Sequence, residues 1–135
     1  MFLNLDNEEV PAALIVFDKI DSSNASFKKT WLLHGIEEPV INGTRTIFSR
    51  TYKSSLKGHA YNGKLTVDTL LPVNSKFDKV GGDGAWAMVN GKNYPGTKLN
   101  TELDEGYTWR LEISPSVASK SDYFLNVLQV SDNDK

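Results

Sequence analysis

Arg45-Thr46-Ile47-Phe48-Ser49-Arg50-Thr51-Tyr52 is a run that reads in twos. Thr46, Phe48, Arg50 and Tyr52 fall on one side, and Arg45, Ile47, Ser49 and Thr51 on the other. Successive side chains of an extended chain point to opposite faces, so this period predicts a β-strand rather than a helix. The same reading extends outward in both directions. Downstream, Asn62-Gly63 is a tight-turn pair that predicts a hairpin corner before the strand Lys64 to Leu71. Pro72, without a ladder donor, ends that strand. Upstream, Lys28 to His34 sets Trp31 and Leu33 against Thr30, Leu32 and His34. Ala12-Ala13-Leu14-Ile15-Val16-Phe17 is apolar on both faces and predicts a central, covered strand.

Beyond Pro72 the pattern continues as Lys76 to Val80, Ala85 to Val89, Tyr107 to Ile113 and Tyr123 to Val130. Asn90-Gly91 supplies another tight turn. Roughly eight short strands at this spacing predict an all-β fold, an antiparallel β-sandwich, with helix nearly absent. Flexible stretches are expected at 21–26, 52–58 and 98–106, and at the two termini, 1–11 and 131–135. No internal repeat or linker divides the chain, so residues 1–135 are expected to form a single domain.

Size and composition agree with that expectation. The chain has 135 residues, 39% of them hydrophobic and 24% charged, which is enough to build a core without covalent staples. Cysteine is absent, which excludes disulfides, thiolate metal sites and cysteine nucleophiles. A formal charge of -2 with interspersed Lys, Arg, Asp and Glu gives no basic stripe for nucleic acid and no basic amphipathic helix for a membrane surface. The segment from Met1 to Pro11 is acidic and polar, unlike a signal peptide, so the export signal of a secreted parent is expected upstream.

Proton-transfer chemistry near neutral pH needs groups that titrate there, and the chain holds two histidines. His34 ends an apolar strand, and a structural or surface role is its ordinary reading. His59 precedes Tyr61 by two residues, but any two such strand positions share a face. Gly81-Gly82-Asp83-Gly84 lacks the Gly-Lys-Ser/Thr and following helix of a phosphate loop, so its glycines are expected to supply positive φ angles. Glu102-Leu103-Asp104-Glu105 lacks the ligand spacing of a calcium loop. Asn24-Ala25-Ser26 and Asn42-Gly43-Thr44 match glycosylation acceptors. Aromatic residues offer a different chemistry, since their faces suit the C–H face of a sugar. Trp31 and Trp109 are expected in the core, whereas Trp86, Tyr94 and Tyr107 are candidates for carbohydrate binding.

Several segments, in order, resemble the C-terminal region of heparinase II/III-type polysaccharide lyases. They are Leu14 to Ile20, Lys28-Lys29-Thr30-Trp31-Leu32-Leu33-His34, Gly63 to Pro72, Lys79-Val80-Gly81-Gly82, Val89 to Pro95, Trp109 to Pro115 and Asp122 to Leu128. The resemblance implies a parent with an α-helical toroid and β-sandwich domains that cleaves uronic-acid polysaccharides, heparin-, heparan-sulfate- or alginate-like, by β-elimination. The acid and base of such enzymes lie upstream of the region that this chain resembles, so no catalytic residue is assigned here. What the resemblance implies is a non-catalytic C-terminal β domain, partnered by upstream catalytic domains and, through them, by acidic polysaccharide. It implies a periplasmic or secreted parent. It also implies a divalent metal, often zinc, in the intact enzyme, with His34 as one ligand and the others outside this chain. The alternative is a stand-alone carbohydrate-binding module.

Overall fold

Every strand pairing in the computed structural model of the chain is antiparallel. The structure describes residues 1–53, 58, 60–82, 85, 87–94 and 108–135. Among these there is no helix, and eleven strands replace the eight expected. In chain order they are β1 (Phe2–Asn4), β2 (Ala12–Asp21), β3 (Trp31–Gly35), β4 (Val40–Asn42), β5 (Arg45–Lys53) and β6 (Ala60–Leu71). Then follow β7 (Ser75–Gly81), β8 (Met88–Val89), β9 (Lys92–Asn93), β10 (Trp109–Pro115) and β11 (Ser121–Asp132). The additional strands are short pieces, β1, β4 and β9, that sequence periodicity is too brief to reveal.

The strands form a six-stranded sheet, β1-β2-β11-β6-β5-β4, a three-stranded sheet, β3-β10-β7, and the small hairpin β8-β9. Residues directly opposite across a ladder share a face. The pairings of Thr46 with Val67, Phe48 with Leu65, Leu128 with Val67 and Asn126 with Thr69 therefore define the inner face of the large sheet. Phe48, Leu65 and Ile41 from this face meet Leu111, Ile113, Trp31, Leu33 and Phe77 of the small sheet, which makes the sandwich core. Val67, Leu111, Ile113 and Phe124 are wholly buried.

Three strands cannot cover six, and this corrects one expectation. β2 is internal to its sheet, between β1 and β11, but it is not covered on both faces. Ala13 is buried, whereas Leu14 and Phe17 are 39% and 59% exposed. The outer face of the same strands carries Ile15, Phe17, Tyr123, Leu125 and Val127, as their pairings require. The Phe17 and Tyr123 rings stack there, 5.9 Å between centroids and 16° from parallel.

The Asn-Gly pairs also redistribute. Asn90-Gly91 turns the β8-β9 hairpin with both residues at positive φ (50° and 77°), as expected. Asn62-Gly63 does not turn at all. It lies inside β6, where Asn62 pairs with Thr51 and Gly63 with Arg50 and Asp132. Ladders on both sides hold this pair extended, and local turn preference yields to them. β6 ends at Leu71 before Pro72, as expected. Leu70, skipped where the register shifts between Leu125 and Asn126, forms a bulge and is exposed. The termini carry strand structure too: Phe2 pairs with Leu14, and Asn133 Nδ2 donates to the Arg50 carbonyl and to Thr51 Oγ1.

Two glycine positions reflect crowding. At Gly35 an added Cβ would stand 2.5 Å from the Phe48 ring. At Gly81 (φ 154°) it would stand 2.2 Å from the Thr108 carbonyl oxygen, and no L side chain fits. This bears out the positive-φ role expected for Gly81 and for Gly82 (φ 84°). Asp83 and Gly84 lie outside the described residues.

Candidate functional site

At one end of the sandwich the layers part around a cleft of about 470 Å³, within the range of roughly 300–1,000 Å³ usual for small-molecule sites. Its walls come from the end of β3 and the turn after it (His34, Gly35, Ile36, Glu37), from β5 (Phe48, Ser49, Arg50), from β6 (Gly63, Lys64, Leu65) and from β11 (Val130, Ser131). The alternation of β5 is what places Arg50 here. Arg50 shares a face with Phe48, so the strand turns a cation toward the apolar interior at the point where the two sheets part.

Arg50 is held in several ways at once. Its guanidinium carbon lies 4.7 Å from the Tyr52 ring centroid and 5.7 Å from that of Tyr61, the cross-strand partner of Tyr52. Each such contact contributes about 0.5–2 kcal/mol, depending on desolvation. Arg50 Nε is 3.6 Å from Glu37 Oε1. Lys64, on the same rim, donates to the Lys135 main-chain oxygen. Arg50, Glu37, Lys64 and Val130 are functional candidates that motif reading passes over. Arg50 is one charged residue in the Arg45 to Tyr52 alternation, and no local pattern marks it.

His34 lies at the edge of this cleft, exposed, and opposite Arg110 in the β3-β10 ladder. Burial of part of the ring and, second, the Arg110 charge hold its pKa below the ordinary 6.5. The guanidinium neighbour disfavours protonation of the imidazole. Among the described residues no three His, Cys, Asp or Glu side chains gather, so these residues do not by themselves make a zinc site. His59 lies outside the described residues.

Arg110 belongs to a half-buried charge cluster. It donates from Nη2 to Glu112 Oε1 (2.7 Å) and to the Met88 carbonyl (2.7 Å), while Lys28 Nζ reaches Glu112 Oε2 at 3.2 Å. The bond to Met88 fastens the β8-β9 hairpin to the outer face of the small sheet. Tyr94, just past that hairpin, is 55% exposed, with Lys92 Nζ 4.9 Å from its ring centroid. The other aromatic candidates, Trp86 and Tyr107, lie outside the described residues, as does the acidic run 102–105. Trp31 packs on the core, as expected. Asn24, a glycosylation candidate by sequence, accepts hydrogen bonds from the Ser26 amide and hydroxyl, both at 3.0 Å. The cleft and the Tyr94 hairpin are thus two neighbouring features, tied together through His34 and Arg110. The chain matches no protein-family model and no curated protein.

Proposed function

We propose that the chain is a non-catalytic β domain of a periplasmic or secreted polysaccharide lyase, packed beside upstream catalytic domains that cleave uronic-acid polysaccharide by β-elimination. The ordered segments from Leu14 to Leu128 support the family assignment, and the antiparallel sandwich is compatible with it. The observation that carries the supporting role is the outer face of β2 and β11. There a stacked Phe17–Tyr123 pair, 59% and 46% exposed, continues into Ile15, Leu125 and Val127. A contiguous apolar face of this kind marks a surface that another body covers. In this reading His34 joins ligands supplied upstream to hold the divalent metal of the parent.

The test is expression of the chain alone and in its parent polypeptide, each given heparan sulfate and alginate. The parent is expected to release unsaturated uronate, read by its ultraviolet absorbance, and the chain alone none. Phe17→Ser with Tyr123→Ser is expected to lower the thermal midpoint of the parent more than that of the chain alone. Product from the chain alone, or a parent without a helical toroid, overturns the proposal. Retention of intact polysaccharide by the isolated chain, lost in Tyr94→Ala, would instead favour the stand-alone carbohydrate-binding module. The exposed Tyr94 is the observation on that side.

A further inference from the structure

At the end of the sandwich opposite the cleft, three loops converge: 22–30 after β2, 72–74 after β6 and 116–120 after β10. Each presents an apolar side chain to solvent, Phe27 (56% exposed), Val73 (76%) and Val117 (70%). The three belong to one surface. A hollow of about 140 Å³ joins Phe27, Ala25 and Ala118 to Val117, and a second of about 220 Å³ joins Val117 to Val73 and Pro72. An outward apolar surface of this kind marks a contact with a membrane or a protein.

Two observations select a lipid surface. Loop backbone can enter a lipid boundary only where its own polar groups are satisfied. Here the loops bond one another: the Ser22 amide donates to the Lys120 carbonyl (2.8 Å), the Ser116 amide to the Asn74 carbonyl (2.9 Å) and the Phe27 amide to the Asn24 carbonyl (3.1 Å). Lys29, buried beneath them, donates to the Ser119 carbonyl and pairs with Asp122 at 3.0 Å. These ties hold the three tips as one platform. The second observation is charge. Lys28 is paired with Glu112, and Asp21 with Lys19. Exposed Lys76 and Lys120, beside the tips, have no side-chain partner among the described residues. The unpaired carboxylates Asp18 and Asp78 lie back along β2 and β7, three residues from the strand ends, or about 10 Å. This end is therefore apolar at its tips and cationic around them, the complement of an anionic lipid surface.

We propose that this end of the domain docks on an anionic lipid surface, with Phe27, Val73 and Val117 entering the boundary between headgroups and acyl chains and Lys76 and Lys120 at the level of the phosphates. A lipid boundary takes separate apolar points without a shaped counterpart, which suits tips carried on three different loops.

The experiment is sedimentation of the intact chain with vesicles of phosphatidylcholine alone and of phosphatidylcholine mixed with phosphatidylglycerol. Binding to the mixed vesicles is expected, weakening as salt screens the lysines, with little binding to phosphatidylcholine alone. Val117→Asp is expected to weaken it about tenfold or more, because a carboxylate must then enter the boundary, while Val117→Leu preserves it. Lys76→Gln with Lys120→Gln is expected to weaken it about tenfold or more. All three positions are exposed, and an unchanged thermal midpoint identifies the variants as folded. Spin-labelled lipid in the vesicles is expected to broaden the amide signals of Phe27, Val73 and Val117 before those of Ile36 and Val130 at the cleft end. Absence of binding to the mixed vesicles, undiminished binding by folded Val117→Asp, or broadening that begins at the cleft end overturns the proposal. So does a chain that stays off vesicles but self-associates through these tips, read as a concentration-dependent mass that Val117→Asp abolishes. No polysaccharide enters these measurements, so lipid docking and the lyase reading can fail independently.

Discussion

His34 shows how a single side chain reports its surroundings. Partial burial is the main cause of its lowered pKa, and the Arg110 guanidinium adds to it. A lowered value in the folded state means that His34 contributes stability above about pH 6.5, and that this contribution fades as pH falls through the folded-state pKa. Arg110→Met is expected to raise the His34 midpoint partway toward 6.5, because burial persists, while Arg110→Lys keeps it low. Proton NMR of the imidazole during a pH titration measures both; an unmoved midpoint in Arg110→Met would remove Arg110 as a cause.

Among the strands, β6 and β11 are joined by a polar contact inside the core. Thr69 Oγ1 donates to Asn126 Oδ1 at 2.8 Å, and both residues are buried. Thr69→Val leaves that buried oxygen without its donor, at a cost of about 1–3 kcal/mol. Adding Asn126→Leu removes the stranded group, so the double variant is expected to lose less than the two single losses combined. Urea unfolding of the four proteins closes that cycle, and simple additivity would mean that the bond contributes nothing. Strands of this length were legible in sequence because period two persists over Arg45 to Tyr52 and because Pro72 stops β6. Turn residues were less reliable guides, since Asn90-Gly91 turns whereas Asn62-Gly63 is held extended by ladders on both sides. The cleft was not legible. Arg50 is one charged residue in the alternation with Thr46, Phe48 and Tyr52, and Glu37, Lys64 and Val130 join it only through the approach of four strands, which no local pattern encodes.

Over the whole molecule, burial divides the aromatic residues by consequence. Phe124 is wholly enclosed, and Phe124→Ala is expected to cost about 3–5 kcal/mol in a denaturant titration. Phe17→Ala and Tyr123→Ala, on the open outer face, are each expected to stay within about 1 kcal/mol of the unsubstituted chain. A large loss in either would mean that the outer face is already covered within the chain. The order of the large sheet has a further result, which concerns synthesis. β11, the last of the strands in sequence, lies between β2 and β6 and pairs with both along nearly their full shared length. A ribosome adds about 5–20 residues per second, so β2 leaves the exit tunnel seconds before its longer-paired neighbour exists. During that interval the run from Ala12 to Phe17 has only the short β1 to pair with and most of its ladder groups open. Nascent chains are therefore expected to need a holding chaperone until β11 emerges, and chains cut short before Ser121 to be cleared rather than folded.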